Sequence, residues 1–307
     1  MAIDNKTIIR KAAIETGTLT SGLLNKEQSR KFIQQTFEAT NLGSLVRHEM
    51  RTAKTGEIDK IGIGSRILRK KTENTDDGYR ADVKTSQIEY STTAVRLPWE
   101  ITEETLRENI EGENLEETIT NLMTTQLGVD MEDLYLNGDE DTETTDPDHD
   151  FLYINDGWIK HIANGGHVYD ASSETSMSLD MFYKTLKQIP NKYNNGKLRW
   201  LMSPKRAQEW ELFLLNKVIG QGGAIPDNVY SSPARVPTVE CPALDDSTIL
   251  LSDPKNLIVV NTYDVKIRKT NEGKEAIMMD KRFYVVHLDY DAIIEELDAT
   301  AIIKGLK

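Results

Sequence analysis

The chain has 307 residues, with 38% hydrophobic and 28% charged side chains and a formal net charge of −13. This composition fits a globular protein with a sizeable core and excludes an intrinsically disordered one. The longest apolar runs, such as Leu257-Ile258-Val259-Val260, are far too short to cross a bilayer, so no membrane partner is expected.

Residues 1–22 are polar with little periodicity and read as an arm without a core of its own. A capping-box pattern, Asn25-Lys26-Glu27-Gln28, opens a helix whose apolar face is Phe32, Ile33 and Phe37 and which Asn41-Leu42-Gly43 ends. That face must be buried either on another subunit or on the chain's own body. Two β-prone runs follow, from Ile58 to Leu68 and from Val83 to Leu97, around a polar tip with Lys70, Lys71, Asp77-Gly78, Tyr79 and Arg80. They predict a long hairpin. Two-stranded ribbons are marginal in water, so the hairpin should lie across a partner.

Residues 99–140 are the stretch on which the rest is organised. Asn114 with Glu117 makes a capping-box-like start, and Asn137-Gly138 makes a stop. Between them Leu115, Ile119, Leu122, Leu127, Met131 and Leu134 form a one-sided stripe. The spacing predicts a spine helix over 115–136, roughly 33 Å long. Its first-turn acids, Glu116 and Glu117, complement the helix dipole. The acidic stretch 139–150 alternates like a calcium loop, but it lacks the central glycine and the closing glutamate and reads as a solvated loop.

Beyond it, Leu179, Phe182, Tyr183, Leu186 and Ile189 mark a helix ended by Pro190, and residues 198–202 mark a strand. Ser203-Pro204 supplies the cap and first position of a helix carrying Trp210, Phe213, Leu214 and Val218. The loop Gly220-Gln221-Gly222-Gly223 lacks the Gly-Lys-Ser/Thr of a phosphate-binding loop. Extended runs at 257–260 and 265–267 precede a turn at 271–274, after which Ile277, Met279, Phe283, Val285 and His287 alternate as a strand. Residues 299–305 close the chain as a short buried strand.

The pattern of reactive residues is sparse. The histidines His48, His149, His161, His167 and His287 stand in no metal-ligand spacing. The single Cys241 excludes an intrachain disulfide and a cysteine-based zinc site. No nucleophile elbow, CxxC or GxGxxG motif is present. No catalytic, cofactor-binding or metal-binding residue is nominated, no cofactor is expected, and no secretory signal opens the sequence, which suggests a cytoplasmic origin. Charge is segregated: residues 1–71 carry 14 Lys and Arg against 7 Asp and Glu, whereas residues 72–150 carry 4 against 23. An acidic chain is a poor sequence-specific nucleic-acid binder, and its two charged regions invite pairing between neighbouring copies. A spine, an arm and a long hairpin without an active site read as an assembly subunit.

Five stretches carry a resemblance to a known family. They are the run Leu97-Pro98-Trp99-Glu100-Ile101-Thr102; the helix end Leu134-Tyr135-Leu136-Asn137-Gly138-Asp139; the turn Asp156-Gly157-Trp158; Leu201-Met202-Ser203-Pro204 with Leu214-Leu215; and Thr300-Ala301-Ile302-Ile303-Lys304-Gly305. In this order they resemble the major capsid proteins of tailed bacteriophages, which have the HK97-type fold. The resemblance implies an α+β architecture. An N-terminal arm would span 1–55 and an extended hairpin loop 56–98, lying on a neighbouring subunit. A peripheral domain would comprise 99–151 and 255–291, and an axial domain 152–254 and 292–307, whose Gly222-Gly223 loop approaches the capsomer axis.

The resemblance further implies hexamers and pentamers closing into an icosahedral head around double-stranded DNA, which the subunit touches only non-specifically. Scaffolding protein, portal and a decoration protein would be partners, and the virion the destination after assembly in the host cytoplasm. Few residues precede Asn25, so a separate scaffolding protein is expected in place of a fused one. The subunit interface would use Phe32, Ile33, Phe37, Lys70, Lys71, Tyr79, Arg80, Gly222 and Gly223. Lys70 or Lys71 with Asn271 is the nearest candidate for the family's cross-link, although that asparagine does not fall at the family's distance from the closing strand. An encapsulin-like compartment shell shares the fold and is the alternative; a metal-dependent hydrolase built on the acidic loop is the reading from another class.

Overall fold

The computed structural model describes residues 42–62, 67–68, 70, 78–104, 115–174, 176–219, 232–262 and 266–307. The chain first forms strands β1 (Arg47–Met50), β2 (Thr55–Gly62), β3 (Lys84–Ser91) and β4 (Thr93–Thr102), then helices α1 (Leu115–Asn137), α2 (His149–Leu152) and α3 (Trp158–Gly165). Next come β5 (His167–Asp170), α4 (Leu179–Gln188), β6 (Arg199–Met202), α5 (Pro204–Ile219), β7 (Thr238–Glu240) and β8 (Ile249–Ser252). The last elements are β9 (Leu257–Asn261), β10 (Lys266–Thr270), α6 (Lys274–Met279), β11 (Lys281–Ile294) and β12 (Ala301–Lys304).

The long strand β11 organises the first sheet. One edge pairs antiparallel with β4 from Lys281↔Thr102 to Tyr290↔Thr93. The other edge is shared: β10 takes Phe283 to His287 and β9 takes Tyr290 to Ile294, with β1 parallel on β9. Directly opposed residues share a face, so Tyr284, Val286 and Leu288 lie beside Trp99, Leu97 and Val95. Trp99 stacks on Tyr284 with ring centroids 5.2 Å apart. This face and α1 belong to one apolar core.

Three expectations are corrected here. The alternation in β11 has the opposite parity: Arg282, Tyr284, Val286 and Leu288 are buried, while Phe283, Val285 and His287 are the less buried set. Arg282 has no exposed surface because Glu103 and Glu116 receive its guanidinium. Ile277 and Met279 are not strand residues but lie exposed on α6, which Gly273 (φ +117°) introduces and left-handed Asp280 ends. The spine helix α1 is also not striped on one side. Leu122 is 64% exposed, whereas near the C-terminal end Met131, Glu132, Leu134, Tyr135 and Leu136 are all buried, so its packing wraps around as it crosses from the first sheet to the second region.

The second sheet has the order β5-β12-β8-β6-β7, parallel at both margins and antiparallel in the centre. Its own core sets Phe182 edge-on to Trp200 and Trp210 at 4.9 and 5.0 Å. Ser178 caps α4 by accepting from Met181 N, and Ser203 Oγ accepts from Arg206 N at the start of α5. On α4, Met181 and Phe182 face the core while Leu179 and Tyr183 are exposed.

Strands β2 and β3 form a separate two-stranded ladder from Thr55↔Ser91 to Gly62↔Lys84. Its lower part is seated on its own chain: Ile58 and Tyr90 pack with Ile258, Val260 and Ile293 of β9 and β11. Gly56 stands opposite Tyr90, and a Cβ there would come within 2.6 Å of the Tyr90 hydroxyl. The far part is different, with Ile61 at 73%, Leu68 at 95% and Val83 at 53% exposure.

Candidate assembly interface and the junction that positions it

Two glycine turns lock back to back where the two regions meet. Gly157 N donates to Gly138 O at 2.8 Å, and Asp139 N donates to Leu152 O at 2.9 Å. A Cβ at Gly138 would lie 2.2 Å from Asn155 O, and one at Gly157 would lie 2.7 Å from Leu136 O. Only the missing side chains let the end of α1 and the start of α3 approach this closely. Trp158, fully buried, donates from Nε1 to Ile293 O at 3.0 Å, and Tyr135 packs against both Trp158 and Tyr290.

A lysine ties down the start of the acidic stretch. Lys160 Nζ lies 2.6 Å from Asp139, 2.7 Å from Asp141 and 2.9 Å from Asp156. Desolvation pulls the Lys160 ammonium down, but the three carboxylates outweigh it and hold its pKa well above the ordinary lysine value. Burial likewise pushes the Asp139 carboxyl up, and the Lys160 hydrogen bond, the Asp141 backbone N–H and the charges of Lys160 and Lys304 together outweigh that, leaving it below the usual carboxylate value. An ammonium thus occupies the position a cation would take. Among the described residues no group of three or more His, Cys, Asp or Glu side chains could hold a metal ion.

At the opposite end of α1, Glu116 receives Lys269 Nζ at 2.5 Å and Arg282 Nη1 at 3.3 Å, while Glu103 receives Arg282 Nε at 3.2 Å. The first-turn glutamate is therefore a bridge between α1, β10 and β11 as well as a partner for the helix dipole. The spine is pinned at both ends.

Of the residues expected at the interface, Lys70 and Arg80 are exposed and Tyr79 is half-buried, with Arg80 Nη1 donating to Tyr79 O at 2.8 Å. Phe32, Ile33, Phe37, Lys71, Gly222 and Gly223 lie outside the described residues. Sequence reasoning passed over Met278, which with Ile277 and Met279 makes a run of three exposed apolar side chains on α6, and Val129, exposed on α1 as is Leu122, which the stripe had included. The three consecutive apolar residues were the readable signal for α6. No described helix is long and apolar enough to cross a membrane.

No family model matches the chain. A Bacillus subtilis (strain 168) protein, YqbE, assigned as a prophage capsid protein, is 29% identical over 323 aligned residues covering 99% of each chain. In the procapsid of satellite phage P4, which includes a size determination (Sid) protein, a chain superimposes with a TM-score of 0.65 at 16% identity, covering 91% of this chain and 99% of that one. This chain has the HK97-type capsid fold. The α+β architecture expected from the resemblance is thus present among the described residues. The holo-SrpI encapsulin complex of Synechococcus elongatus PCC 7942 shares the HK97-type fold with a TM-score of 0.54 at 12% identity, over 100% of this chain and 97% of that one.

Proposed function

We propose that this protein is the major capsid protein of a tailed double-stranded DNA phage or prophage, a structural subunit and not an enzyme. The observation that carries the reading is end-to-end similarity to a prophage capsid protein together with the capsid fold. Copies self-assemble through capsomers into the shell of the virion. In this reading residues 1–55 are the arm, 56–98 the extended loop, 99–151 with 255–291 the peripheral domain, and 152–254 with 292–307 the axial domain. The exposed apolar residues Ile61, Leu68 and Val83 support a loop that gains its missing cover from a neighbour. Scaffolding protein, portal and a decoration protein are the partners, DNA is contacted without sequence preference, and assembly takes place in the host cytoplasm. Many modest contacts repeated by symmetry would stabilise such a shell.

The test is light scattering and negative-stain microscopy on the full chain and on a chain lacking residues 1–41, each co-expressed with its neighbouring gene products. Closed shells or capsomer rings from the full chain, lost on truncation, are expected. A compact monomer under all these conditions would sink the reading. Likeness to an encapsulin complex favours one second reading, a compartment shell, which isolated particles would reveal by holding protein cargo in place of nucleic acid.

A further inference from the structure

The hairpin has two differently treated halves. The side of its lower half that faces the subunit is formed by Gly56, Ile58 and Lys60 opposite Tyr90, Ile88 and Ser86. The opposite side carries exposed Glu57, Asp59, Gln87 and Glu89. This is the alternation of a ribbon with one dry and one wet face. Polar ties reinforce the dry side. Ser91 N donates to Asp291 Oδ2 at 2.7 Å, whose Oδ1 accepts from Asn155 Nδ2 at 3.0 Å. Lys54 Nζ lies 3.1 Å from Asp289 Oδ2, and Thr92 Oγ1 lies 2.8 Å from Thr262 Oγ1. Furthest along the ribbon, Lys60 Nζ donates to Glu295 O at 3.1 Å and pairs with the Glu296 carboxylate. Glu295 in turn holds Arg47 of β1 at 2.6 Å.

We infer that Lys60 and Glu296 are positioning residues for assembly: they close an intrasubunit latch that fixes the direction in which the hairpin tip leaves its own subunit. The lower half is then a rigid bracket and the tip the reaching part. Direction matters because a ribbon held at one angle meets a neighbour at one place, and the set of such angles determines how a shell curves and closes. The consequence for shell geometry rests on the capsid reading, whereas the latch itself is a property of the single chain. Without it the ribbon should fray, since two strands alone are marginal.

The experiment uses Lys60→Glu, Glu296→Lys and the double reversal in the full chain; both side chains are about a third exposed, so folding should survive. Hydrogen–deuterium exchange on unassembled subunits is expected to show β2 and β3 amides exchanging about three- to tenfold faster in each single variant, and at an intermediate rate in the double, where the pair re-forms but residue 60 no longer donates to Glu295 O. Shells from the single variants should differ in diameter or fail to close, with the double closer to the wild-type particle than either single. Unchanged exchange in the single variants, or no rescue by the double reversal, would overturn the latch. Shells of wild-type diameter from single variants with released hairpins would overturn its directing role. Failure of the wild-type chain to form any shell would count against the capsid reading and leave the exchange result to judge the latch alone.

Discussion

Gly138 and Gly157 show how much of the junction depends on two absent methyl groups. A methyl on Gly157 would meet Leu136 O at 2.7 Å and Gly138 N at 2.8 Å, both backbone atoms that have nowhere to move. Gly157→Ala is expected to destabilise the unassembled subunit by about 1–3 kcal/mol, measured by urea denaturation. Lys160 sets a pH window at the same place. The Asp139 pKa is depressed, so its contribution is present above its ordinary value of 3.8 and is lost as pH falls through the lower folded value. The Lys160 pKa is raised, so its contribution is complete below 10.5 and is lost as pH rises through the higher folded value. Thermal unfolding should therefore vary little on account of this cluster between those limits. In Lys160→Met, which leaves three carboxylates facing one another, melting should fall as pH rises from 4 to 7 relative to wild type. Parallel melting curves for the two proteins across that range would refute the assignment.

At the scale of elements, the spine is a pinned rod. Its N-terminal end is held by a guanidinium without exposed surface between Glu103 and Glu116, and its C-terminal end by the glycine junction and by Asn137 Nδ2 donating to Ala243 O at 2.6 Å. Removing both carboxylates with Glu103→Ala and Glu116→Ala strands a buried charge, and a loss of about 3–5 kcal/mol is expected. The Lys281–Glu100 pair, at 3.3 Å on the partly exposed margin of the same sheet, is the control; Lys281→Ala should cost roughly 1 kcal/mol or less. Equal losses in the two denaturation experiments would show that Arg282 is not the anchor. The hairpin follows the same logic: it needed cover, as the sequence indicated, yet its own β9 and β11 supply the cover for the lower half.

At the scale of the whole molecule, charge segregation is partly resolved within the chain. Arg47, Lys54 and Lys60 from the basic front pair with Glu295, Asp289 and Glu296 near the C-terminal end, not with the acidic middle. The acidic middle keeps exposed Glu140, Glu143 and Asp146 beyond its Lys160 tie. Contacts between copies that use this remaining charge should be screened by salt. In the proposed capsid, association between copies is accordingly expected to weaken as sodium chloride is raised from about 0.05 to 0.5 M, followed by light scattering at constant protein concentration. Assembly that strengthens steadily over that range would show that salt acts mainly by screening repulsion between copies of net charge −13 and would overturn charge pairing as the dominant contact.

The order and kind of most elements were legible from local pattern alone, because caps, glycine and proline stops and hydrophobic period act over a few residues: the spine helix, the hairpin, α4 with its proline stop, the capped α5, and the closing strand. The turns Asn137-Gly138-Asp139 and Asp156-Gly157-Trp158 were also visible as motifs, within two of the five stretches that together indicated the capsid resemblance. Tertiary structure alone decided what those motifs touch. The buried parity of β11 depended on Arg282 finding Glu103 and Glu116 more than 160 residues away along the chain. The seat of the hairpin depended on Lys60 meeting Glu296 across 236 positions. Local periodicity carries no information about partners at such separations, and a charged side chain reads as exposed until the fold delivers its counter-charge.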